Sequence, residues 1–317
     1  MRFLVVGAGS WGTAFTRVLL DREHDVVLAC RSPEQAEAIA QTGWNPHYLQ
    51  GVDLSAAEPL PLADAPGDAD AVVVAVPSMA FAAVVEALPG DAPVISLAKG
   101  LDPATGERLS TRVRGRAVAV LSGPNMAEEI AEGLPTAAVI ASEDGGLAGE
   151  LQDAINSSLF RVYVNPDLVG VELCGAAKNV IALAAGAVDG LRLGDNAKAS
   201  LIARGLAEMA RLGEAAGARA ETFAGLAGIG DLVVTCWSRY GRNRHAGELI
   251  AQGLTPERAI AEIGQTVEGL TTAPVLRDLS HRLGVELPIT EGVCSVLSGQ
   301  SIAELAAGLM GRRPTEE

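Results

Sequence analysis

Residues 2–23, "RFLVVGAGSWGTAFTRVLLDRE", decide the fold. A short apolar run, RFLVV (2–6), ends in GAGSWG (7–12), and TAFTRVLLDRE then reads as a helix. Gly7, Gly9 and Gly12 therefore stand between a strand and a helix, the setting that makes GxGxxG a dinucleotide-binding fingerprint. The first glycine permits the tight turn, the second a close approach of a pyrophosphate, and the third close helix–strand packing. The free N–H groups opening the helix then face the phosphates. An ordinary glycine-rich strand–helix turn is the plain alternative.

Working outward, DVVLAC (25–30) is the next strand, and its end carries Arg31 and Ser32. Chains that select NAD place a carboxylate near this point for the ribose hydroxyls. None stands here. An arginine can grip a 2′-phosphate, and a hydrogen bond to a charged group contributes roughly 1.5–3 kcal/mol, about 10- to 100-fold in affinity. The expected cofactor is NADPH, with NADH tolerated, unless Arg31 only stacks on adenine or points to solvent.

Further strands are expected at AVVVAV (71–76), PVISLA (93–98), AVAVLS (117–122) and TAAVIA (136–141). Continuous Val/Ala/Ile runs mean strands covered on both faces, the mark of a parallel sheet with crossover helices. PLPLADAPGDADA (59–71) reads as a connector without periodicity. After RVYVNPD (161–167) the pattern becomes helical almost to the end, and GRRPTEE reads as a frayed tail. The expected architecture is an α/β amino-terminal domain with a Rossmann-type parallel sheet, residues 1–167, followed by an all-α carboxyl-terminal domain, residues 168–317.

The 317 residues suit two such domains. A net charge of −15 argues against nucleic acid or an acidic membrane surface as partner. It leaves room for a small anion, because screening decays over about 8 Å and a local basic cluster can dominate a cleft. Cys30, Cys174, Cys236 and Cys294 are scattered without CxxC spacing and read as reduced thiols. The four histidines are equally dispersed, so no metal site is expected. No apolar run approaches the ~20 residues of a membrane span. The start, MRFLVVGAG, lacks the pattern of a signal peptide. A cytoplasmic protein without integral membrane association is expected.

In open α/β sheets ligands bind at the carboxyl ends of the strands. Those ends read VPS (76–78), AKG (98–100) and SGP (122–124). Lys99 can point into the cleft or lie in a surface loop. GPNMAEE adds Asn125 and a helix amino terminus nearby.

ELCGAAKNVIALAAGAVDGL (172–191) raises the sharper question, since one lysine sits in a helix apolar on every side. Such a helix is buried. The neighbours of Lys178 on its own helix are Cys174, Gly175, Ile181 and Ala182, none of which pairs with an ammonium. Desolvation then lowers its pKa and makes it a competent proton donor and acceptor. A lysine snorkelling to water is the alternative. Further on, Asp231 and Thr235 lie four apart, on one face of any helix, and GRNR (241–244) follows. Guanidinium and amide together suit a phosphate, although a lone RNR triplet reads more simply as a solvated basic turn.

In this order and spacing the segments GAGSWGTA, SLAKGL, SGPNMAEE, ELCGAAKNVIALAAGAVDGL, GLAGIGDLVVTC, GRNR and TVEG resemble bacterial NAD(P)-dependent glycerol-3-phosphate dehydrogenases, from residue 2 to about 310. The resemblance implies reduction of dihydroxyacetone phosphate to sn-glycerol 3-phosphate, feeding phospholipid synthesis. It implies Lys178 as general acid/base, with Lys99 beside nicotinamide and substrate and Asp231 ordering the polar groups there. Arg242 and Asn243 match the phosphate-binding pair, with Arg242 also near the cofactor. Gly123, Asn125, Thr235 and Gly241 fall among the implied substrate contacts. Ser10, Trp11, Arg31, Ala127, Thr266 and Glu268 match cofactor contacts. The family often has Ser or Thr at 125, Ser at 241 and an aliphatic residue at 266, so two hydroxyls able to bond substrate are missing here.

Two other readings stay open on the residues alone: a related dehydrogenase for a 3-hydroxyacid or ketopantoate-like acid, and a non-catalytic NADPH sensor. A Cys174 or Cys236 nucleophile is a weaker one. The apolar helical half can bury its own core or a homodimer interface.

Overall fold

The structure is a computed structural model and describes residues 1–302. The GRRPTEE tail lies outside the described residues. Strands β1 (Arg2–Val6), β2 (Asp25–Cys30), β3 (Glu58–Pro61), β4 (Ala71–Val74), β5 (Val94–Ser96), β6 (Val118–Ser122), β7 (Thr136–Ala141) and β8 (Phe160–Asn165) form one sheet in the order β3-β2-β1-β4-β5-β6-β7-β8. Helices α1 (Ser10–Leu20), α2 (Pro33–Thr42), α3 (Ser78–Glu86), α4 (Ala127–Ala131) and α5 (Gly145–Ile155) accompany it. Alternate β1 residues serve two cores: Phe3 and Val5 face one, Leu4 and Val6 the other. Burial on both sides is why the run is continuously apolar.

The strand order reverses direction at β1, between β2 and β4. The carboxyl end of β1 therefore opens at a topological switch point, where a ligand has room between diverging crossovers. Gly7 takes φ +109°, and a Cβ there would sit 2.6 Å from the Ala75 carbonyl oxygen. A Cβ on Gly12 would come within 1.8 Å of the Gly7 carbonyl oxygen. Both glycines are required by the backbone alone.

Three expectations need correction. The connector expected at 59–71 begins instead within β3, which pairs in parallel with β2, and its two prolines fit because it is an edge strand. β7 runs antiparallel to β6, and β8 runs parallel to β7, so the sheet is not parallel throughout. The five-residue helix α4 spans only ~8 Å, too short to carry the chain back to the far end of the sheet. The third is the expectation that no apolar run approaches the length of a membrane span, which the first helix of the second half overturns.

The remaining helices are α6 (Leu168–Gly190), α7 (Asp195–Ala215), α8 (Ala220–Phe223), α9 (Asp231–Trp237), α10 (Arg242–Ala251), α11 (Pro256–Ile263), α12 (Glu268–Leu283) and α13 (Pro288–Leu297). A π-helical segment, Leu226–Gly230, leads into α9. α6 is long and apolar enough to cross a membrane, contrary to the expectation that no such run exists. Its few polar residues interrupt a strict apolar run but not the average. Of its most apolar window 89% is buried inside the protein, against other helices and the β6 and β7 face of the sheet, so it serves as a core. α10 lies close against it: a Cβ on Gly247 would fall 1.9 Å from the Leu183 carbonyl oxygen, and one on Gly186 would fall 1.7 Å from that of Arg244. This backbone-to-backbone approach fixes α10 against the carboxyl-terminal half of α6.

Candidate active site

Lys178 lies midway along α6 and is 5% exposed. Its Nζ donates hydrogen bonds to Asp231 Oδ1 and, at 2.9 Å, to Thr235 Oγ1. Both partners sit one turn apart on α9, the face their spacing implied. Asp231 is 1% exposed, and its other oxygen, Oδ2, accepts from Lys99 Nζ at 2.7 Å. Lys99 follows β5 and also donates to the Gly123 carbonyl, 2.9 Å away, beyond the end of β6. Two lysines from opposite halves of the chain thus share one carboxylate. Snorkelling is excluded for Lys178.

The group carries a net single positive charge around a buried carboxylate. Burial drives the Lys178 pKa down to about 7, with Lys99 adding to the fall and Asp231 opposing it. Burial alone would raise Asp231, but the two ammonium groups hold it below the usual carboxylate range. The arrangement can give up a proton near neutrality while keeping a second, fixed positive charge nearby. Burial pushes Cys174 and Cys236 upward, Cys236 to about 12, which disfavours a thiolate nucleophile.

Asn179 was missed from sequence and completes the construction. Its Nδ2 donates to the Lys99 carbonyl at 2.9 Å and to the Gly175 carbonyl at 3.2 Å. Its Oδ1 accepts from Asn243 Nδ2 at 2.8 Å, and Asn243 Oδ1 accepts from the Gly269 N–H at 2.8 Å. The Lys99 backbone is thereby tied through α6 and α10 to α12. A second polar residue beside Lys178 in an otherwise apolar helix was the available signal. Asn243 is 8% exposed, with its carbonyl oxygen and one N–H already engaged. Arg242 is exposed, and its guanidinium donates to the Thr266 carbonyl at 3.1 Å. Gly241 precedes α10 without a side-chain cap.

Glu268, the first residue of α12, accepts from the Ser78 N–H at 3.0 Å and from Ser78 Oγ at 2.5 Å. Ser78 opens α3 just past β4, so this contact joins the two halves beside the switch point. Ser78 was not foreseen. Asn125 Nδ2 donates to the Ala137 carbonyl at 3.1 Å, whereas its buried Oδ1 has no partner. Ser122 Oγ, at the end of β6, is likewise buried and unpartnered. Ala127 is packed into the sheet core at the start of α4.

The glycine turn after β1 has the features that a dinucleotide pyrophosphate requires. A Cβ on Gly9 would meet nothing within 4 Å, so that position opens onto free space. α1 begins there without a side-chain cap or an acidic residue in its first turn. Ser10 opens this helix half-buried, and the buried Trp11 Nε1 has no partner. Gln35 Nε2 and Asn45 Nδ2 both donate to the Ala8 carbonyl, at 3.0 and 2.9 Å, holding the turn in shape. Neither was legible as a loop anchor. Arg31 is exposed at the end of β2 and forms no ion pair among the described residues.

A nucleotide-binding sheet, a helical half and a buried lysine at their junction define a two-domain dehydrogenase of the dinucleotide-dependent class. The profile of NAD-dependent glycerol-3-phosphate dehydrogenase N-termini matches residues 3–148, and that of the C-termini matches residues 167–307. The chain belongs to the NAD-dependent glycerol-3-phosphate dehydrogenase family. It is 46% identical to a glycerol-3-phosphate dehydrogenase [NAD(P)+] of Moorella thermoacetica, over 99% of this chain and 96% of that one. The crystal structure of glycerol-3-phosphate dehydrogenase from Coxiella burnetii superposes with a TM-score of 0.94 at 34% identity, covering 98% of this chain and 99% of the other. A ketopantoate reductase of Ralstonia eutropha shares the fold alone, at 18% identity and a TM-score of 0.61 over 96% of this chain and 100% of that one.

Proposed function

We propose that the protein catalyses the reversible reduction of dihydroxyacetone phosphate to sn-glycerol 3-phosphate, with Lys178 as the proton donor. The observation that carries this reading is the buried Lys178–Asp231–Lys99 cluster at the junction of the two halves. When bound, the nicotinamide supplies the hydride that reduces the ketone carbon. Lys178 gives its proton to the carbonyl oxygen as that oxygen gains charge. A pKa near the working pH is what an efficient general acid needs. Lys99, engaged with Asp231 and Gly123, supplies a fixed positive charge that favours the developing oxyanion. Asp231 and Thr235 accept from Lys178 and aim it, whichever way the proton moves. In the reverse direction neutral Lys178 is the base.

Arg242, with the remaining N–H of Asn243 and the uncapped start of α10, holds the substrate phosphate. Binding energy spent on that remote group orients the reacting carbon. Gly7, Gly9, Ser10, Trp11 and Gly12 hold the cofactor pyrophosphate end, and Glu268 and Thr266 border it from the helical half. Arg31, exposed and without an ion pair, grips the 2′-phosphate and sets a preference for NADPH over NADH. The functional division falls at 167/168, where the last strand gives way to α6. Four buried thiols without a disulfide fit a reducing cytoplasm.

The test is a substrate panel with NADPH, followed by loss of the reduced nicotinamide's absorbance. Dihydroxyacetone phosphate should drive oxidation, whereas ketopantoate and 3-oxoacids should not. Turnover on a carboxylated ketone with none on the phosphorylated one would move the protein to another dehydrogenase class. Tight NADPH binding with no turnover on any ketone would favour a sensor.

A further inference from the structure

The peptide that joins Lys99 to Gly100 is held at two points. Its carbonyl, on Lys99, accepts from Asn179 Nδ2 at 2.9 Å. At Gly100 the missing side chain leaves the room that Ser78 fills. A Cβ there would lie 2.7 Å from Ser78 Cβ, 2.9 Å from Ser78 Oγ and 3.2 Å from Glu268 Oε2. Ser78 is 4% exposed and gives both its N–H and its hydroxyl to the Glu268 carboxylate. Pro77, at the cap position of α3, makes no side-chain cap bond, so this helix borrows its cap from the other half of the chain.

Followed outward, the two holds meet. Asn179 Oδ1 accepts from Asn243 Nδ2, and Asn243 Oδ1 accepts from the Gly269 N–H. Gly269 is the neighbour of Glu268 in the first turn of α12. A Cβ on Gly269 would fall 2.6 Å from the Asn179 carbonyl oxygen, so α12 sits in register against α6 here. The contacts close a ring, Lys99–Asn179–Asn243–Gly269–Glu268–Ser78–Gly100, that crosses twice between the sheet half and the helical half. A fully satisfied polar network of this kind rigidifies what it encloses.

Resting on Lys178 as proton donor and Lys99 as the fixed charge, we propose that Ser78 is a positioning residue for Lys99, closing with Glu268 the ring that sets where the Lys99 ammonium stands. Opening the ring lets Lys99 draw back while Asp231 and Thr235 keep their hold on Lys178. From α9 come Asp231 and the Cys236 thiol, from its own helix the Cys174 thiol, and from the end of β5 Lys99; α10 presents the neutral Asn243. Of these, Lys99 is the like charge that lowers the Lys178 pKa, so its withdrawal raises it.

The test uses a scarcity of lysine: Lys99, Lys178 and Lys198 are all that the chain has. Protein labelled at lysine Cε with the NMR-active carbon isotope therefore gives three signals, assigned with Lys198→Arg and Lys99→Arg, and each is followed through a pH titration without substrate. In Ser78→Ala the Lys178 midpoint should rise by about half a unit, as expected when a like charge withdraws from about 4 to about 5 Å. Its kcat for dihydroxyacetone phosphate at saturating NADPH should fall about 10- to 100-fold, the cost of a displacement of about 1 Å in a reacting group. Gly100→Ala forces a methyl into the same space with Ser78 and Glu268 intact, and should do the same; it keeps the question answerable if Ser78→Ala does not fold. Glu268→Gln retains an acceptor for the Ser78 N–H and a donor for Ser78 Oγ, so its Lys178 midpoint should match wild type. An unmoved Lys178 midpoint in folded Ser78→Ala overturns the proposal. So does a loss confined to KM for NADPH, which would place Ser78 with the cofactor alone. Wild type that titrates as expected but leaves dihydroxyacetone phosphate unreduced would refute the assigned reaction, whereas unmoved midpoints in a working enzyme would refute only the role of Ser78.

Discussion

Replacing Asp231 with asparagine keeps the shape of the side chain and removes the one negative charge that Lys178 and Lys99 share. Opposite charges about 4 Å apart interact by about 4 kcal/mol at the effective dielectric of protein sites. At about 1.4 kcal/mol per tenfold, that is a factor of up to ~10³ between protonated and neutral Lys178. Asparagine still accepts one hydrogen bond, which brings the expected factor nearer 10². Reduction needs the protonated amine, and Lys178 titrates at about 7. For wild type, kcat/KM for dihydroxyacetone phosphate should be highest below that pH and fall about tenfold per pH unit above it. In the oxidative direction the profile inverts and rises through the same region. Asp231→Asn should lose about 10²-fold near neutrality. Its falling limb should move to acid, so that part of the loss is recovered on acidification. The assay is initial-rate kinetics with saturating NADPH, alongside NADPH affinity to confirm an intact fold. A variant with the wild-type rate and an unmoved limb would refute the idea that Asp231 sets the charge state of Lys178.

Other outcomes follow from the same geometry. Arg31→Ala should lower kcat/KM for NADPH about 10- to 100-fold and leave NADH nearly unchanged, the loss expected of a charged hydrogen bond; equal losses for both would remove Arg31 from the 2′-phosphate. Gly247→Ala puts a methyl 1.9 Å from the Leu183 carbonyl oxygen, so denaturant melts should show at least ~1–3 kcal/mol of lost stability. Glu208 on α7 accepts from the Ile289 and Thr290 N–H groups, and burial raises its pKa to about 7. The folded chain then binds this proton more tightly than the unfolded chain. The resulting stabilisation is full below the ordinary carboxyl pKa and is lost as pH rises through about 7. Relative to Glu208→Gln, wild type should lose roughly 2–3 kcal/mol between mildly acidic and mildly alkaline pH. Parallel unfolding curves across that range would contradict it.

What could be read from the sequence followed from local constraints. The glycine spacing at 7, 9 and 12 is demanded by backbone clashes within a few residues, so it is visible as a pattern. The burial of α6 followed from its being apolar all round, and the shared face of Asp231 and Thr235 from helical spacing. The reversed β7 was hidden because a strand buried on both faces looks alike in either direction. β3 was hidden by its prolines, which only an edge strand tolerates. The Lys99–Asp231 and Ser78–Glu268 contacts join residues 132 and 190 positions apart, which no periodicity encodes. Asn179 and Asn243 are 64 apart, and each looks like an ordinary polar residue until the backbones of α6 and α10 are seen in contact.

The most direct measurement is single-turnover reduction of dihydroxyacetone phosphate by Lys178→Met, with NADPH binding measured on the same sample. Methionine keeps the apolar stem and removes only the proton donor. NADPH affinity should stay within a few-fold of wild type, while the reduction rate falls about 10²- to 10⁴-fold, the usual contribution of a general acid. A near-normal rate in that variant would mean that the proton comes from another group.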